Sequence, residues 1–119
     1  MSHTALVVDD SMLIRHMVCR FLEERGFQVE SAANGVEALG VIERWRPGII
    51  ITDLQMPLMT GSELITELKA RAQTAGIPVV VLASKRTAMD AHEERRAQFV
   101  IYKDIDIEEQ LANAIAALT

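Results

Sequence analysis

Cysteine is nearly absent from the chain: Cys19 is the single one in 119 residues. One thiol excludes an internal disulfide and a multi-cysteine zinc site, so a reducing cytoplasm is the expected setting. On an apolar helix such a residue reads as a small core hydrophobe. No apolar run approaches the roughly 18 residues that a bilayer-spanning helix needs, and Met1–Thr4 lacks the pattern of a signal peptide. No membrane partner is expected. Basic charge is also scarce, with 12 Lys+Arg against 17 Asp+Glu and a net charge of −5, which argues against a grip on a phosphate backbone. Direct nucleic-acid binding is therefore not expected. No linker or low-complexity segment interrupts the chain, and its length suits one domain, residues 1–119, with one core.

What is present is a regular alternation. Ala5–Val8 reads as a short buried strand that runs into Asp9-Asp10-Ser11, after which Ile14, Met17, Val18, Phe21 and Leu22 recur at helical spacing until Gly26. Phe27–Ser31 is a second strand. Asn34, with Glu37 three residues on, resembles a capping box opening a helix that carries Val36, Leu39, Val41 and Ile42. Pro47-Gly48 ends that helix before Ile49-Ile50-Ile51-Thr52-Asp53, a β-branched run apolar on both faces. Ser62 then caps a helix presenting Leu64, Ile65 and Leu68, and Val79–Leu82 forms a fourth strand. Thr87–Ala97 reads as a short charged helix, Phe99–Tyr102 as the fifth strand, and Ile107, Leu111, Ile115 and Leu118 as the stripe of a last helix.

Five strands alternating with five helices define an α/β doubly wound parallel sheet, for which the flavodoxin-like order 2-1-3-4-5 is a standard solution. Ligands in such sheets collect at the carboxyl ends of the strands, at the switch point between strands one and three. Asp9, Asp10 and Asp53 end those two strands and are expected to converge. Asp53 by itself reads equally as a residue capping the following turn. Three carboxylates in one crevice repel unless a cation compensates them, and oxygen-only ligands favour Mg²⁺. His3, His16 and His92 fall at the terminus and on helices, so zinc is not indicated. The fourth strand ends at Ala83-Ser84 and the fifth at Lys103, and an ammonium beside a metal and a carboxylate makes a phosphoryl-binding set.

These residues resemble the receiver domain of two-component response regulators, the CheY-like family, over the whole chain. Val7-Val8-Asp9-Asp10-Ser11 matches the family's acidic strand end, Thr52-Asp53-Leu54-Gln55-Met56-Pro57 with Gly61 its acceptor motif, and Lys103 its lysine. The resemblance implies that Asp53 accepts a phosphoryl group from a histidine kinase or phosphotransfer protein. It further implies that Asp9, Asp10, Asp53 and the Gln55 backbone carbonyl arrange Mg²⁺, and that Lys103 contacts the phosphoryl oxygens. The protein would then be a self-modifying switch and not an enzyme of metabolism. Its first helix would face the phosphodonor. The charged Thr87–Ala97 helix, strand five and the last helix would face an unknown downstream target.

Four positions depart from the family pattern. The hydroxyl residue at the end of strand four is Ala83, with Ser84 one place later as a phosphoryl contact. The aromatic three residues before the lysine is Val100, with Phe99 and Tyr102 expected to point elsewhere by strand alternation. The proline after the lysine is Asp104, where a trans peptide bond is expected, and Arg96 stands where glycine is common. These departures keep open a second reading, a phosphorylation-independent pseudo-receiver that serves as an interaction module. A phosphohydrolase of the haloacid-dehalogenase type is a third, but that family wants an acid two places after its nucleophile, and Gln55 stands there.

Overall fold

The computed structural model describes residues 3–119, so the start of the Met1–Thr4 stretch lies outside the described residues. Strands β1 (Thr4–Val8), β2 (Gln28–Ala32), β3 (Ile49–Asp53), β4 (Val79–Ala83) and β5 (Phe99–Tyr102) alternate with helices α1 (Met12–Glu23), α2 (Gly35–Arg44), α3 (Gly61–Lys69), α4 (Ala88–Glu93) and α5 (Ile107–Leu118). All neighbouring strands are parallel, in the order β2-β1-β3-β4-β5. The flavodoxin-like arrangement expected from the alternation is the one observed.

Strand alternation divides the core into two layers. Leu6, Val8, Ile50, Val79 and Val81 face α2 and α3, where they meet Ile42, Leu64, Ile65 and Leu68. Ala5, Val7, Ile49, Ile51, Val80 and Leu82 face the other way, onto Phe21 and Leu22 of α1 and Leu111 and Ile115 of α5. Because β3 is buried along its whole length, it explains why Ile49–Ile51 carry no polar side. Truncating a buried isoleucine such as Ile50 or Ile51 to alanine typically costs about 2–5 kcal/mol. Chain direction then does the rest: every strand delivers its carboxyl end, and the residue just after it, to one rim.

Helix boundaries follow local chemistry, and some differ from expectation. Ser11 caps α1 by accepting the Ile14 N–H, and Gly26, at φ +87°, supplies the left-handed turn that releases the chain into β2. Asn34 caps α2 through the Glu37 N–H at 2.9 Å, but the Glu37 carboxylate reaches the N–H of Ala33 and not that of the cap. Val36 is half exposed and does not join the core face of α2. Ser62 is not the cap of α3. Thr60 is, in a reciprocal capping box with Glu63. The reason is the contact beneath: a Cβ on Gly61 would lie 2.2 Å from the Asp53 carbonyl oxygen, so the glycine must pack flat on the end of β3 inside the first turn.

The Thr87–Ala97 helix is shorter than expected, ending at Glu93. Glu94 turns inward instead, with its carboxylate gripped by Arg96 at 2.8 and 2.9 Å. The same guanidinium donates to Thr66 Oγ1 at 2.8 Å and to the Ser62 carbonyl at 3.3 Å, tying the turn before β5 to α3. The hydrogen bond from Arg96 holds the Glu94 pKa down at about 2, from 4.5, against the opposing effect of burial. A depressed folded-state pKa contributes stability that is full above the ordinary carboxylate range and is lost as pH falls from about 4.5 towards 2. Since Arg96 is partly exposed, the contribution is discounted to about 1–2 kcal/mol. Urea unfolding should therefore show an acid limb in that window for wild type, and Glu94→Gln should be less stable at neutral pH and lack that part of the limb.

Candidate functional site

Val8 and Thr52 pair across β1 and β3, so the residues that follow them meet at the switch point. Asp9 follows β1 and is completely buried, Asp10 beside it is exposed, and Asp53 ends β3 with 6% exposure. One carboxylate oxygen from each lies within 4.8 Å of the other two. The convergence expected from strand position is present. Above Asp53 a cavity of about 500 Å³ opens, lined by Asp10, Gln55, Ser84, Arg86, Thr87 and Lys103 among others. Asp9 lies beneath its floor.

Each acid is anchored by its own turn. The Ser11 N–H donates to Asp9 Oδ1 at 2.9 Å, and Arg15 donates to the Asp9 carbonyl at 2.8 Å. The Leu54 N–H donates to Asp53 Oδ1 at 2.8 Å, while the Thr52 hydroxyl donates to the Asp53 carbonyl at 2.9 Å. Asp53 Oδ2 accepts no hydrogen bond among the described residues.

Lys103 leaves β5 with its N–H on the Ala83 carbonyl at 2.8 Å and extends its ammonium between the two buried acids, 2.8 Å from Asp9 Oδ2 and 3.2 Å from Asp53 Oδ1. The approach to Asp9 is ionic but lies off the direction of a hydrogen bond, so Asp9 Oδ2 is a buried oxygen with no hydrogen-bond donor among the described residues. One ammonium is thus shared by two buried carboxylates. Burial, and then the negative charge of Asp9, push the Asp53 pKa up from 3.8, with Lys103 pulling the other way. Burial works against the Lys103 ammonium, but the two carboxylates beside it, Asp9 and then Asp53, outweigh that and hold its pKa above the ordinary lysine value. The Asp104 substitution does not spoil this aim: no cis peptide bond occurs among the described residues, and Gln110 holds the strand end through the Tyr102 N–H and carbonyl, each at 2.9 Å.

A metal fits this donor set. All ligating groups are oxygens, one buried carboxylate oxygen lacks a hydrogen bond, and the local charge is short by at least one positive unit, which suits a hard divalent cation. Cys19 and the histidines are not part of it. The Cys19 thiol is half-buried against the α1 core, its pKa pushed up to about 11 by burial and by Glu23.

Two features of the rim were not legible. Tyr102 packs on the same sheet face as Val100, two residues away, contrary to the expectation that it points elsewhere; only Phe99 lies on the opposite face. Ala83, read from the sequence as lacking the hydroxyl, is fully buried. Ser84 does line the cavity, but in company with Thr87 and Arg86, neither of which was expected at the site. The signal was there in the Ser84-Lys85-Arg86-Thr87 spacing, since a four-residue turn places its first and last residues side by side.

Residues 5–116 match the family model of the response regulator receiver domain, and the chain belongs to that family. Response regulator MprA of Mycobacterium bovis (strain BCG / Pasteur 1173P2) is 38% identical over 97 residues, 82% of this chain and 40% of that protein. The chain spans about two-fifths of the length of the curated relatives it matches. Among solved structures, the chemotaxis protein CheY4 of Vibrio cholerae superposes over 100% of both chains with a TM-score of 0.88 and 31% identity. A receiver domain of a sensor histidine kinase from Pseudomonas aeruginosa PAO1 is 19% identical with a TM-score of 0.87 over 99% of this chain and 98% of that one. That structure has a magnesium ion coordinated in its active-site cleft. The chain is thus a two-component receiver domain, a reading favoured over the phosphohydrolase. No helix among the described residues is long and apolar enough to cross a membrane.

The raised Asp53 pKa has a consequence for stability. The folded state holds that proton more tightly than the unfolded chain, so ionisation costs stability as pH rises above about 3.8. Asp53→Asn removes the cost and leaves Lys103 to Asp9. Without divalent cations the variant should have a higher urea midpoint than wild type at pH 7, with the gap closing towards pH 4. A lower midpoint at pH 7 would contradict the electrostatic account.

Proposed function

We propose that Asp53 is the phosphoacceptor, with Lys103 and Ser84 as phosphoryl contacts and Asp9, Asp10, Asp53 and the Gln55 carbonyl as ligands of Mg²⁺. The observation that carries this reading is the free Asp53 Oδ2 at the floor of a cavity, beside a buried Asp9 oxygen that lacks a hydrogen bond. The donor is a phosphorylated imidazole on a histidine kinase or phosphotransfer protein. Asp53 Oδ2 attacks the phosphorus, the O–P bond forms as the N–P bond breaks, and the imidazole leaves with the nitrogen lone pair. Lys103 holds Oδ1 still, which leaves Oδ2 as the attacking atom and aims its lone pair into the cavity. Its charge also stabilises the negative charge on the phosphoryl oxygens. Bound Mg²⁺ would supply the remaining neutralisation of carboxylate and phosphoryl oxygens, worth several kcal/mol in such a transition state. Water attack on the phosphorus later returns inorganic phosphate and the free carboxylate.

Residues 1–119 would act as one receiver unit in the cytoplasm, modified on demand and read by a protein target. The phosphorylation-independent alternative is not favoured, because the acids and the lysine that a docking module could dispense with still converge on one rim, with Lys103 paired to Asp9 and Asp53. Incubation with acetyl phosphate should add one phosphoryl group by intact mass only with Mg²⁺, and Asp53→Asn should add none. Asp10→Asn should demand more Mg²⁺, about tenfold, for losing one charged ligand, taking a charge-assisted contact as about 1.5 kcal/mol or more. Wild-type protein that stays unmodified under these conditions would return the chain to the docking reading.

A further inference from the structure

Donors around the cavity are unequally committed. Lys103 is matched by two carboxylates before any anion arrives, and the Thr60 hydroxyl serves the cap of α3. Ser84, Arg86 and Thr87 come from the single turn between β4 and α4, and Arg86 has no ion-pair partner among the described residues.

Thr87 is the unusual member. Its residue exposure is 2%, and although it precedes α4 its side chain does not cap that helix. Instead Thr87 Oγ1 accepts the Ser84 N–H at 2.9 Å. The hydroxyl proton has no good acceptor: the Ser84 carbonyl is 3.5 Å away, and Ser84 Oγ is 3.4 Å away. Distances that long make poor O–H···O bonds, which are normally under 3.0 Å. Buried hydroxyl donors usually find a partner, and this one lines a cavity whose proposed occupant is an anion. The next strand position inward, Ala83, carries no hydroxyl that would compete for that occupant.

We propose that Thr87 donates its hydroxyl proton to a phosphoryl oxygen on Asp53 while still accepting the Ser84 N–H, so that the turn serves as a two-link relay from backbone amide to hydroxyl to anion. This rests on Asp53 being the acceptor. The arrangement needs no break in the existing bond, since an oxygen accepts through a lone pair while it donates through its proton. Each link polarises the other, which strengthens both in a dry site. The contact also places the anion against the residue that leads directly into α4.

The test uses beryllofluoride with Mg²⁺ on the full chain, with binding followed by the rise in unfolding midpoint and by amide spectra. Thr87→Val keeps the shape, so it loses the Ser84 contact and stability with it; that loss is the same with and without beryllofluoride if the role is structural. A phosphoryl-contact role predicts that beryllofluoride affinity weakens about tenfold or more in Thr87→Val, as for a hydrogen bond to a charged group, while Mg²⁺ affinity changes less than twofold. Thr87→Ser should bind within about threefold of wild type. In wild type, which needs no folding of a variant, the Ser84 amide proton should shift downfield on adding beryllofluoride and should not do so in Asp53→Asn. Equal affinity in Thr87→Val and wild type, or an unmoved Ser84 amide in wild type that binds beryllofluoride, overturns the role of Thr87 alone. Wild type that does not bind beryllofluoride at all overturns the Asp53 reading, and this inference with it.

Discussion

Two buried carboxylates share one ammonium at the switch point of the sheet. Removing ionised groups from water is expensive, and a lone pair of like charges at such depth is tolerated only with compensation. Lys103 supplies half of it, at 2.8 Å from Asp9 and 3.2 Å from Asp53. The remaining deficit is the property that sets the character of the rim, because it favours a hard divalent cation among the three acids. The rest of the fold serves to hold the three groups there. β3 is buried along its length so that its end cannot drift, Gly61 packs against the Asp53 carbonyl, and Gln110 clamps the strand that bears Lys103.

Much of this was legible because it depends on pattern and chain direction. The Ile49–Ile51 run could only be a strand covered on both sides, and a parallel sheet brings Asp9, Asp10, Asp53 and Lys103 to one edge without any knowledge of side-chain packing. What was not legible depended on contacts between segments far apart in sequence. The shortening of α4 follows from Arg96 reaching Thr66 and Ser62 on α3, a pairing that helical periodicity does not record. The cap of α3 moved from Ser62 to Thr60 because Gly61 has to lie against β3. Tyr102 was misplaced through the alternation argument itself: residues 100 and 102 are two apart and so share a face. That correction restores an aromatic to the side of the sheet that carries α4, in register with Ala83.

The altered positions therefore form a connected set. With no hydroxyl at Ala83, the hydroxyls nearest that strand end are those of Ser84 and Thr87 in the following turn; with no proline after Lys103, Gln110 and the trans backbone fix the strand end that bears the lysine; with Arg96 in place of glycine, the end of α4 is pinned to α3. The acidic floor is unchanged while its roof is rebuilt around Ser84-Lys85-Arg86-Thr87. The fourth helix that leaves this turn is short, and the turn after it is tethered to α3 by Arg96.

The charge deficit at Asp9 and Asp53 is tested most directly by the dependence of unfolding free energy on Mg²⁺ concentration, measured in parallel for wild type and Asp9→Asn. A ligand that binds only the folded state adds RT ln(1 + [L]/Kd), about 2.7 kcal/mol at one hundred times Kd. The account predicts that wild type gains stability along this curve, and that Asp9→Asn, its deficit already relieved, starts more stable without metal and gains far less from it. Equal Mg²⁺ gains in the two proteins, or none in wild type, would contradict it.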